Sequence, residues 1–328
     1  MDKITMLGAS QSGKTCFIYA MYDFMQRSRN GFSFIAKNYD DDADLSEGWE
    51  SIAYDGVWPP GTAETRDYDF NVLFHSKKIL DFSWCDYRGG VLRERSTNED
   101  VQKLMSRIKD SSCLIICVGA DKVKDIIANE SSRNAMELKR LNSFIARYSA
   151  ENNKRIPIIF ALTKADMYTP DEQKKLMSVV KTYFDPLFVQ GSCWLVAVLP
   201  VCLGKFDNTE GSDRVNGIVA PKNIHIPVMF FLNAVLKDRV REIECKLKNI
   251  DTKRVEEENY RRTNADQNFF SKLWNGDRTL QSNRRTDKLN EEQKNLNDLL
   301  NDINEVFANM RDMFKVCKVY FDGDEVQL

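Results

Sequence analysis

The sequence predicts an α/β fold, with a mainly parallel six-stranded sheet covered by helices on both faces and a C-terminal helical hairpin or coiled coil. In the first two-thirds of the chain, short apolar runs alternate with segments whose apolar residues have helical spacing. In the last third, apolar residues recur at steps of three and four over two long stretches. We therefore expect one main domain at 1–225 and a helical extension with a small terminal hairpin at 226–328.

Six apolar runs are the predicted strands of the sheet. They cover residues 3–8, 67–74, 78–85, 113–118, 156–162 and 193–199. Apolar residues at helical spacing predict the helices 14–27, 94–109, 131–149 and 170–184. Because these strands and helices alternate, we expect a mainly parallel sheet with both faces covered. We expect irregular structure at 31–66 and 203–224.

The extension contains two stretches of helical apolar spacing, at 229–250 and 296–314, separated by a polar segment at 263–285. Such spacing places apolar residues on one seam of a long helix. It therefore predicts a helical hairpin or a coiled coil, with self-association as one outcome. The last residues, 316–328, contain an Asp-Gly pair and are expected to form a small hairpin.

Composition excludes several classes of protein. The 328 residues include 47 Lys and Arg against 49 Asp and Glu, a balance that argues against a nucleic-acid partner. The eight cysteines form no C-x-x-C pair and there are two histidines, so we expect no Cys/His metal site and a reducing, cytoplasmic environment. The first residues read as a strand and not as a signal peptide, and no apolar run is long enough to predict a membrane span.

The segment 8–15 reads GASQSGKT and matches the phosphate-binding motif G-x-x-x-x-G-K-[ST] in full. It follows a predicted strand and opens a predicted helix, which is the context that the motif requires. Its backbone N–H groups and the helix N-terminus attract phosphate oxygens. We expect Lys14 to reach the β- and γ-phosphates and the Thr15 hydroxyl to ligate Mg²⁺. The expected nucleotide-contacting residues here are Gly8, Ser10, Gln11, Ser12, Gly13, Lys14, Thr15 and Cys16.

A second polar group, DYRGG at 86–90, follows the predicted strand 78–85. Asp86 stands at the strand end, where a carboxylate can hold magnesium. Its D-x-x-G spacing puts Gly89 where a backbone N–H can bond a γ-phosphate. Asp81 is the rival carboxylate, but it lies on the opposite side of the strand. We prefer Asp86 because ligands of open α/β sheets bind at the carboxyl ends of the strands.

The run PIIFALTKAD at 157–166 again joins a strand to a polar turn. Thr163–Asp166 resembles the [NT]-K-x-D motif of Ras-like GTPases, which belong to the P-loop NTPase fold. The resemblance implies that Asp166 accepts hydrogen bonds from N1–H and N2–H₂ of guanine, a donor pair that adenine lacks, while the stem of Lys164 lies along the base. It also implies that the backbone N–H groups of Cys202 and Leu203 meet the guanine carbonyl, although a buried structural cysteine is the alternative there.

The resemblance to Ras-like GTPases covers 1–202 and implies that the main domain binds GTP or GDP with Mg²⁺. The segments WPPGT at 58–62 and DYRGG at 86–90 are similar to bacterial double-GTPase domains, a type that occurs in conflict or signalling systems. The family pattern further implies that the first switch segment supplies a threonine that ligates Mg²⁺ and contacts the γ-phosphate. Thr62 is the candidate and Thr65 is the alternative, so the expected metal ligands are Thr15, Thr62 and Asp86.

Gly90 stands where Ras-like domains often have a glutamine that orients the attacking water. Arg88, as an internal arginine finger, is one substitute, and Gln11, Arg93 or Arg95 are others. We expect a switch protein that hydrolyses GTP slowly or with the help of a protein partner. A nucleotide-binding scaffold without turnover is the alternative, and an ATPase is disfavoured by Asp166. The expected catalytic residues are Lys14, Thr62, Arg88 and Gly89.

Overall fold

The computed structural model describes residues 1–61, 64–87, 90, 99–151, 155–206, 213–265 and 269–327, without the side chains of 151, 261, 263–265 and 269–283. Its strands are β1 (Asp2–Gly8), β2 (Phe32–Ala36), β3 (Arg66–Phe74), β4 (Lys77–Asp86), β5 (Cys113–Gly119), β6 (Ile158–Thr163), β7 (Leu195–Pro200), β8 (Cys202–Phe206), β9 (Gly217–Lys222), β10 (Lys318–Phe321) and β11 (Asp324–Val326). Its helices are α1 (Lys14–Gln26), α2 (Tyr39–Ala53), α3 (Glu99–Asp110), α4 (Ala120–Ala128), α5 (Arg133–Glu151), α6 (Pro170–Tyr183), α7 (Ile226–Ala265) and α8 (Phe269–Met310).

Within the described ranges, nine strands form one sheet in the order β11-β10-β7-β6-β5-β1-β4-β3-β2. The five central strands, β7, β6, β5, β1 and β4, are parallel. The two outer strands at each edge run antiparallel to their inner neighbours. The sheet contains all six predicted strands and three more, and it confirms the mainly parallel α/β class.

Helices cover both faces of the sheet, as predicted. On one face, Leu114, Ile116 and Val118 of β5 belong to a buried cluster that includes side chains of α3, α4, α5 and α6. On the other face, the ring of Phe17 in α1 packs 5.9 Å from that of Trp84 in β4. This packing fixes the carboxyl ends of β1, β4, β5 and β6 relative to one another, and the site described below lies at that edge.

The stretch 31–66 is not irregular throughout, because it contains β2 and α2. In β2, the alternating burial of Phe32 and Phe34 packs a five-residue strand against β3. In α2, the side chain of Asn38 accepts a 2.9 Å hydrogen bond from the backbone N–H of Asp40 and so caps the helix. The acidic residues that suggested a loop lie in the first turn of α2, where the helix dipole favours negative charge.

The stretch 203–224 is also partly regular, because β8 and β9 form a separate two-stranded antiparallel sheet. Its polar composition hid this hairpin, which pairs mainly through its backbone. Helix α4 was not predicted either. Its nine residues directly follow β5, so its few apolar positions continue the apolar run of the strand.

The terminal hairpin is formed by β10 and β11. The predicted division puts it in the extension, whereas β10 pairs with β7 in the main sheet, with Val319 opposite Ala197. Accordingly, one compact unit comprises Met1–Phe231 with Arg311–Leu328, and a second comprises Leu232–Met310. The joining of 311–328 to the first unit depends on a pairing between strands more than a hundred residues apart.

The second unit consists of most of α7 and α8. The two helices contact each other through a 2.6 Å hydrogen bond from Arg254 Nη1 to Gln293 Oε1 and an ion pair between Arg285 and Glu257. This confirms a C-terminal helical hairpin. The polar segment at 263–285 is helical wherever the structure describes it, because α7 extends to Ala265 and α8 begins at Phe269. Polar residues that lack an apolar stripe can still be helical. None of the helices in the described ranges is both long and apolar enough to cross a bilayer.

Candidate functional site

The loop between β1 and α1 turns tightly enough to require glycine. A Cβ atom on Gly8, whose φ is +156°, would lie 2.6 Å from the carbonyl oxygen of Cys117 and 2.6 Å from Ser12 Oγ. Gln11 and Gly13 also have positive φ, at 61° and 80°. Gly13 caps α1, and no side-chain cap bonds the first N–H groups of this helix within the described residues. The loop therefore presents backbone donors at the N-terminus of α1.

Lys14 is buried beneath this loop, with 6% of its surface exposed. Its Nζ donates to the carbonyl oxygens of Gly8 and Ala9, at 3.0 and 3.1 Å. Burial lowers the pKa of Lys14, and the negative charge of Asp86 opposes this shift. The two hydrogen bonds therefore hold the Lys14 ammonium group inside the loop, near the N-terminus of α1.

Asp86 ends β4 beside the same loop and is 2% exposed. Its Oδ2 accepts a 2.9 Å hydrogen bond from the Thr15 hydroxyl. Burial raises the pKa of Asp86, against the opposing effects of Lys14 and of the bond from Thr15. Asp86 Oδ1 and Ser12 Oγ are buried without a hydrogen-bond partner in the described part of the chain. Because an unpaired buried polar atom costs about 1–3 kcal/mol, both atoms favour a bound ligand.

These residues fit a magnesium ion. A carboxylate oxygen and a threonine hydroxyl are the hard oxygen ligands that Mg²⁺ prefers, and the unpaired Oδ1 of Asp86 offers one of them. Asp81, the rival carboxylate in β4, is engaged elsewhere in a 2.8 Å ion pair with Lys37. The hydrogen bond from Lys37 lowers the pKa of Asp81.

The turn after β6 is tied to the loop after β1. Thr163 Oγ1 donates a 2.7 Å hydrogen bond to the carbonyl oxygen of Ser12 and lies 3.3 Å from that of Val118. Lys164 takes a left-handed conformation with φ of 56°, and its Nζ lies 2.6 Å from Asp121 Oδ2. The side chains of Thr163 and Lys164 thus connect this turn to two neighbouring strand ends.

Asp166 is half-buried in the same turn. Burial raises the pKa of Asp166, and hydrogen bonds from its own backbone N–H and from that of Phe206 oppose the shift. Burial raises the pKa of the Cys202 thiol, and the negative charge of the nearby Asp166 raises it further. Cys202 and Leu203 open β8, and the preceding carbonyl of Val201 accepts a 3.3 Å bond from the N–H of Ala165. The segment after β7 therefore runs alongside the turn that carries Asp166.

The remaining predicted site residues are distributed unevenly. Ser10 and Gln11 are exposed on the loop, whereas Cys16 is only partly exposed in α1, and its removal from water raises the pKa of its thiol to about 12. Thr62, Arg88 and Gly89 lie outside the described residues, as do Arg93 and Arg95. The alternative Thr65 is described, and its side chain hydrogen-bonds with Tyr87.

The sequence analysis missed two residues that contact the site, both at the start of α4. Asp121 pairs with Lys164, and Lys122 Nζ donates to the carbonyl oxygen of Ser10. Lys122 also lies 3.7 Å from the buried carboxylate of Glu137 in α5. The signal was present, because a polar pair at the carboxyl end of a central parallel strand occupies a ligand-binding edge.

Residues 2–187, more than half of the 328-residue chain, match the Double-GTPase 2 family. The chain belongs to this family. The match confirms the resemblance to Ras-like P-loop GTPases of the double-GTPase type. The matched residues include the loop at 8–15, Asp86 and Asp166. The first unit of this Double-GTPase 2 protein therefore contains a GTP-binding domain.

Three solved structures are similar to this chain at low sequence identity. The small COPII coat GTPase SAR1 from Encephalitozoon cuniculi, in complex with GDP, is 12% identical, with a TM-score of 0.28, over 56% of this chain and 60% of that one. The signal recognition particle receptor SRb-GTP/SRX complex from Chaetomium thermophilum is 11% identical, with a TM-score of 0.38, over 65% and 94%. The S. cerevisiae Ski7 GTPase-like domain, bound to GTP, is 13% identical, with a TM-score of 0.37, over 66% and 47%.

The SAR1 match spans less than two-thirds of that chain. With TM-scores this low, the three structures carry no argument about activity. No curated protein matches the chain.

Proposed function

We propose that this protein is a GTP-binding switch that hydrolyses GTP slowly with Mg²⁺ and couples its nucleotide state to a protein partner. The observation that supports this most is the hydrogen bond from Thr163 Oγ1 to the Ser12 carbonyl oxygen. It joins the phosphate-binding loop to the turn that carries Asp166, so a single nucleotide can contact both. The family match supports the guanine-nucleotide class.

The phosphate-binding role falls to the loop and the first turn of α1. In the proposed complex, Lys14 exchanges its bonds to two loop carbonyls for bonds to the β- and γ-phosphates. The backbone N–H groups of the loop donate to the same phosphates. The residues assigned to nucleotide binding here are Gly8, Ser10, Gln11, Ser12, Gly13, Lys14, Thr15 and Cys16.

The magnesium role falls to Thr15 and Asp86, with Thr62 as the proposed third residue. The bound ion would neutralise charge that develops on the phosphate oxygens. The Thr15 hydroxyl lies against the Asp86 carboxylate, so the two proposed oxygen ligands are adjacent. Asp86 further balances the charge of the buried Lys14.

Guanine selection falls to the turn after β6. A carboxylate has about four lone-pair positions, and two backbone N–H groups use part of the capacity of Asp166. The remainder can accept N1–H and N2–H₂ of guanine, whereas adenine would leave the half-buried carboxylate unpaired. Lys164, held by Asp121, is assigned to the base plane, and the N–H groups of Cys202 and Leu203 are assigned to the guanine carbonyl.

Hydrolysis is the attack of water on the γ-phosphorus, which breaks the bond to the β-phosphate oxygen and yields GDP and phosphate. Lys14 and the N–H of Gly89 would stabilise the transferred group, and Thr62 and Arg88 would complete the site. Because Gly90 has no side chain to orient water, slow turnover or help from a partner is expected. A scaffold that binds GTP without turnover is the second candidate, and the same glycine favours it.

The cellular setting is part of the proposal. The double-GTPase type supports a role in a bacterial conflict or signalling system. All eight cysteines are free thiols, which supports a reducing compartment such as the cytoplasm. A protein effector or activating partner, and self-association through α7 and α8, are the proposed interactions.

The test is phosphate release from GTP in a single turnover by the purified full chain, with and without Mg²⁺. We expect slow release that requires Mg²⁺ and is lost in Lys14→Ala, while Lys174→Ala, at an exposed ion pair on α6, leaves it unchanged. Release that persists in Lys14→Ala contradicts the assignment of the loop. GTP binding without release leaves the scaffold as the function.

A further inference from the structure

The hairpin of β8 and β9 contacts two separate parts of the site. Its first strand begins at Cys202, in the segment 200–203 that lies beside the base-binding turn. Residues 213–215, which lead into β9, pair with the backbone of 56–58. The segment 56–58 leads to Thr62, four residues further along the chain. A single element therefore touches both the turn proposed to bind the base and the segment that precedes the proposed magnesium threonine.

On the base side, the hairpin holds the carboxylate of Asp166. The backbone N–H of Phe206, the last residue of β8, donates to this carboxylate. The base of the hairpin is fixed as well, because Asn223 Nδ2 donates to the carbonyl oxygen of Pro200 at 2.9 Å. The orientation of the Asp166 carboxylate thus depends on where Phe206 sits.

On the other side, the hairpin binds 56–58 by backbone and ring contacts. The N–H of Trp58 donates to the Asp213 carbonyl oxygen at 2.9 Å, and the N–H of Val215 donates to that of Gly56 at 2.8 Å. The rings of Trp58 and Phe206 meet edge to face, with centroids 5.1 Å apart. Phe206 therefore contacts Asp166 through its backbone and Trp58 through its side chain.

The two strands of the hairpin approach too closely to move independently. A Cβ atom on Gly204 would lie 2.0 Å from the carbonyl oxygen of Ile218, so only glycine allows this pairing. Phe206 pairs with Gly217 in the same ladder. A shift of Phe206 at its contact with Asp166 is therefore transmitted to its contact with Trp58.

We propose that the β8–β9 hairpin is a positioning element that couples recognition of the guanine base to the placement of the segment 56–58, with Phe206 and Trp58 as its contact pair. This inference rests on the proposed function and adds a regulatory link within the same site. When guanine engages Asp166, Phe206 is held in place, and the Trp58 segment is held with it. Because Thr62, the residue proposed to contact the γ-phosphate, follows Trp58 by four positions, base recognition then strengthens binding of the γ-phosphate.

The test is a thermodynamic cycle on the full chain that needs no turnover. The affinities of GDP and a non-hydrolysable GTP analogue give the contribution of the γ-phosphate, and the same pair is measured with inosine nucleotides. Inosine lacks the 2-amino group and so loses one hydrogen bond to Asp166. We expect the γ-phosphate contribution to fall about fivefold from guanosine to inosine nucleotides in the unmodified protein. In Trp58→Ala we expect the γ-phosphate contribution to be low and to be the same for guanosine and inosine nucleotides.

Matched variants keep this test interpretable. Trp58→Phe keeps a ring and should restore the coupling, whereas Ile218→Ala, at an exposed position of the same hairpin, should not change it. If Trp58→Ala does not fold, Phe206→Leu removes the ring contact and keeps the N–H that donates to Asp166. A γ-phosphate contribution that is independent of the base in the unmodified protein overturns the inference alone. Absence of any guanine-nucleotide binding overturns the proposed function as well.

Discussion

Lys14 and Asp86 are opposite charges buried within one site, and each makes the burial of the other tolerable. Removing one partner of such a pair leaves an uncompensated charge, which is the costly case. Thr15 donates a hydrogen bond to Oδ2 of Asp86, whereas Oδ1 of the same carboxylate has no partner in the described part of the chain. At the scale of the residue, this unpaired oxygen supports the proposal that the site binds a ligand.

The first prediction concerns Asp86→Asn. This change keeps the shape and removes the negative charge, so we expect the dependence of nucleotide affinity on Mg²⁺ to fall by about tenfold or more. Asp81→Asn is the control in the same strand, at an outward ion pair, and should behave like the unmodified protein. The measurement is nucleotide affinity across a Mg²⁺ titration. Equal Mg²⁺ dependence in the two variants would show that Asp86 is not the metal carboxylate.

The second prediction concerns His225, whose ring stacks on Phe24 with centroids 4.8 Å apart. Burial lowers the pKa of His225 to about 4. Between the ordinary pKa near 6.5 and this value, the unfolded chain binds a proton that the folded chain does not, so stability falls as the pH falls. The loss is at most about 3 kcal/mol.

The measurement is the free energy of unfolding in denaturant between pH 7 and pH 4. His225→Phe should flatten this part of the profile, and His75→Gln, at the exposed β3–β4 connection, should leave it as it was. The same slope in His225→Phe and the unmodified protein contradicts the assignment of the slope to His225.

At the scale of the element, β10 is a strand of the main sheet despite its place after the helical extension. Val319 and Tyr320 are 3% and 7% exposed, and the Tyr320 ring meets that of Phe188 edge to face at 5.1 Å. The strand covers the edge of β7 that would otherwise present unpaired backbone groups.

The third prediction follows from this pairing. A chain that ends at residue 315 loses β10, so we expect the free energy of unfolding of the first unit to fall by about 3 kcal/mol or more. A chain that ends at 323 loses β11 but keeps β10, and we expect a much smaller change. Denaturant unfolding of the three lengths measures both effects. Equal losses in the two truncations would mean that β10 is not part of the stabilising sheet.

The same comparison of elements shows what the sequence could and could not predict. Five of the six predicted runs are the parallel central strands, and these were predictable because buried parallel strands are almost entirely apolar, as in β5 and β6. The sixth, β3, is antiparallel and shows the alternating burial typical of a strand. Helix α2 was missed because its buried residues, Leu45, Trp49 and Ile52, are few among acidic ones. The joining of β10 to β7 has no local signal, because strands more than a hundred residues apart meet only in the folded chain.

The candidate site was likewise predictable only in part. Motifs read by spacing, such as 8–15 and Thr163–Asp166, placed residues that the structure brings together. Contacts between distant positions were not readable, and the bond from Lys122 to Ser10 is the clearest case. The hairpin contact to Asp166 was hidden for the same reason, since a backbone donor such as that of Phe206 leaves no mark in side-chain chemistry.

At the scale of the whole molecule, the second unit carries exposed apolar side chains. Val255 in α7 is 57% exposed and Leu299 in α8 is 47% exposed. Long helices with an apolar seam commonly pair with a further helix. These residues motivate the proposal that the chain associates with itself through α7 and α8.

The fourth prediction is that the full chain is at least a dimer and that Val255→Glu with Leu299→Glu makes it a monomer. Charges at these exposed apolar positions oppose helix association because they would have to be desolvated. Asn297→Glu, an exposed change in α8, is the control and should keep the oligomer. Light scattering gives the mass in each case. A monomeric mass for the unmodified chain refutes self-association.

The measurement that tests the central claim most directly is the affinity of the full chain for GTP, GDP and ATP in the presence of Mg²⁺, repeated with XTP and the variant Asp166→Asn. We predict that GTP and GDP bind at least about 100-fold more tightly than ATP, and that Asp166→Asn loses this preference and gains affinity for XTP, whose 2-oxo group accepts from the amide. Asp171→Asn, an exposed carboxylate at the start of α6, should retain the preference for guanine. ATP binding as tight as GTP binding, or an unchanged preference in Asp166→Asn, would contradict the account of this site.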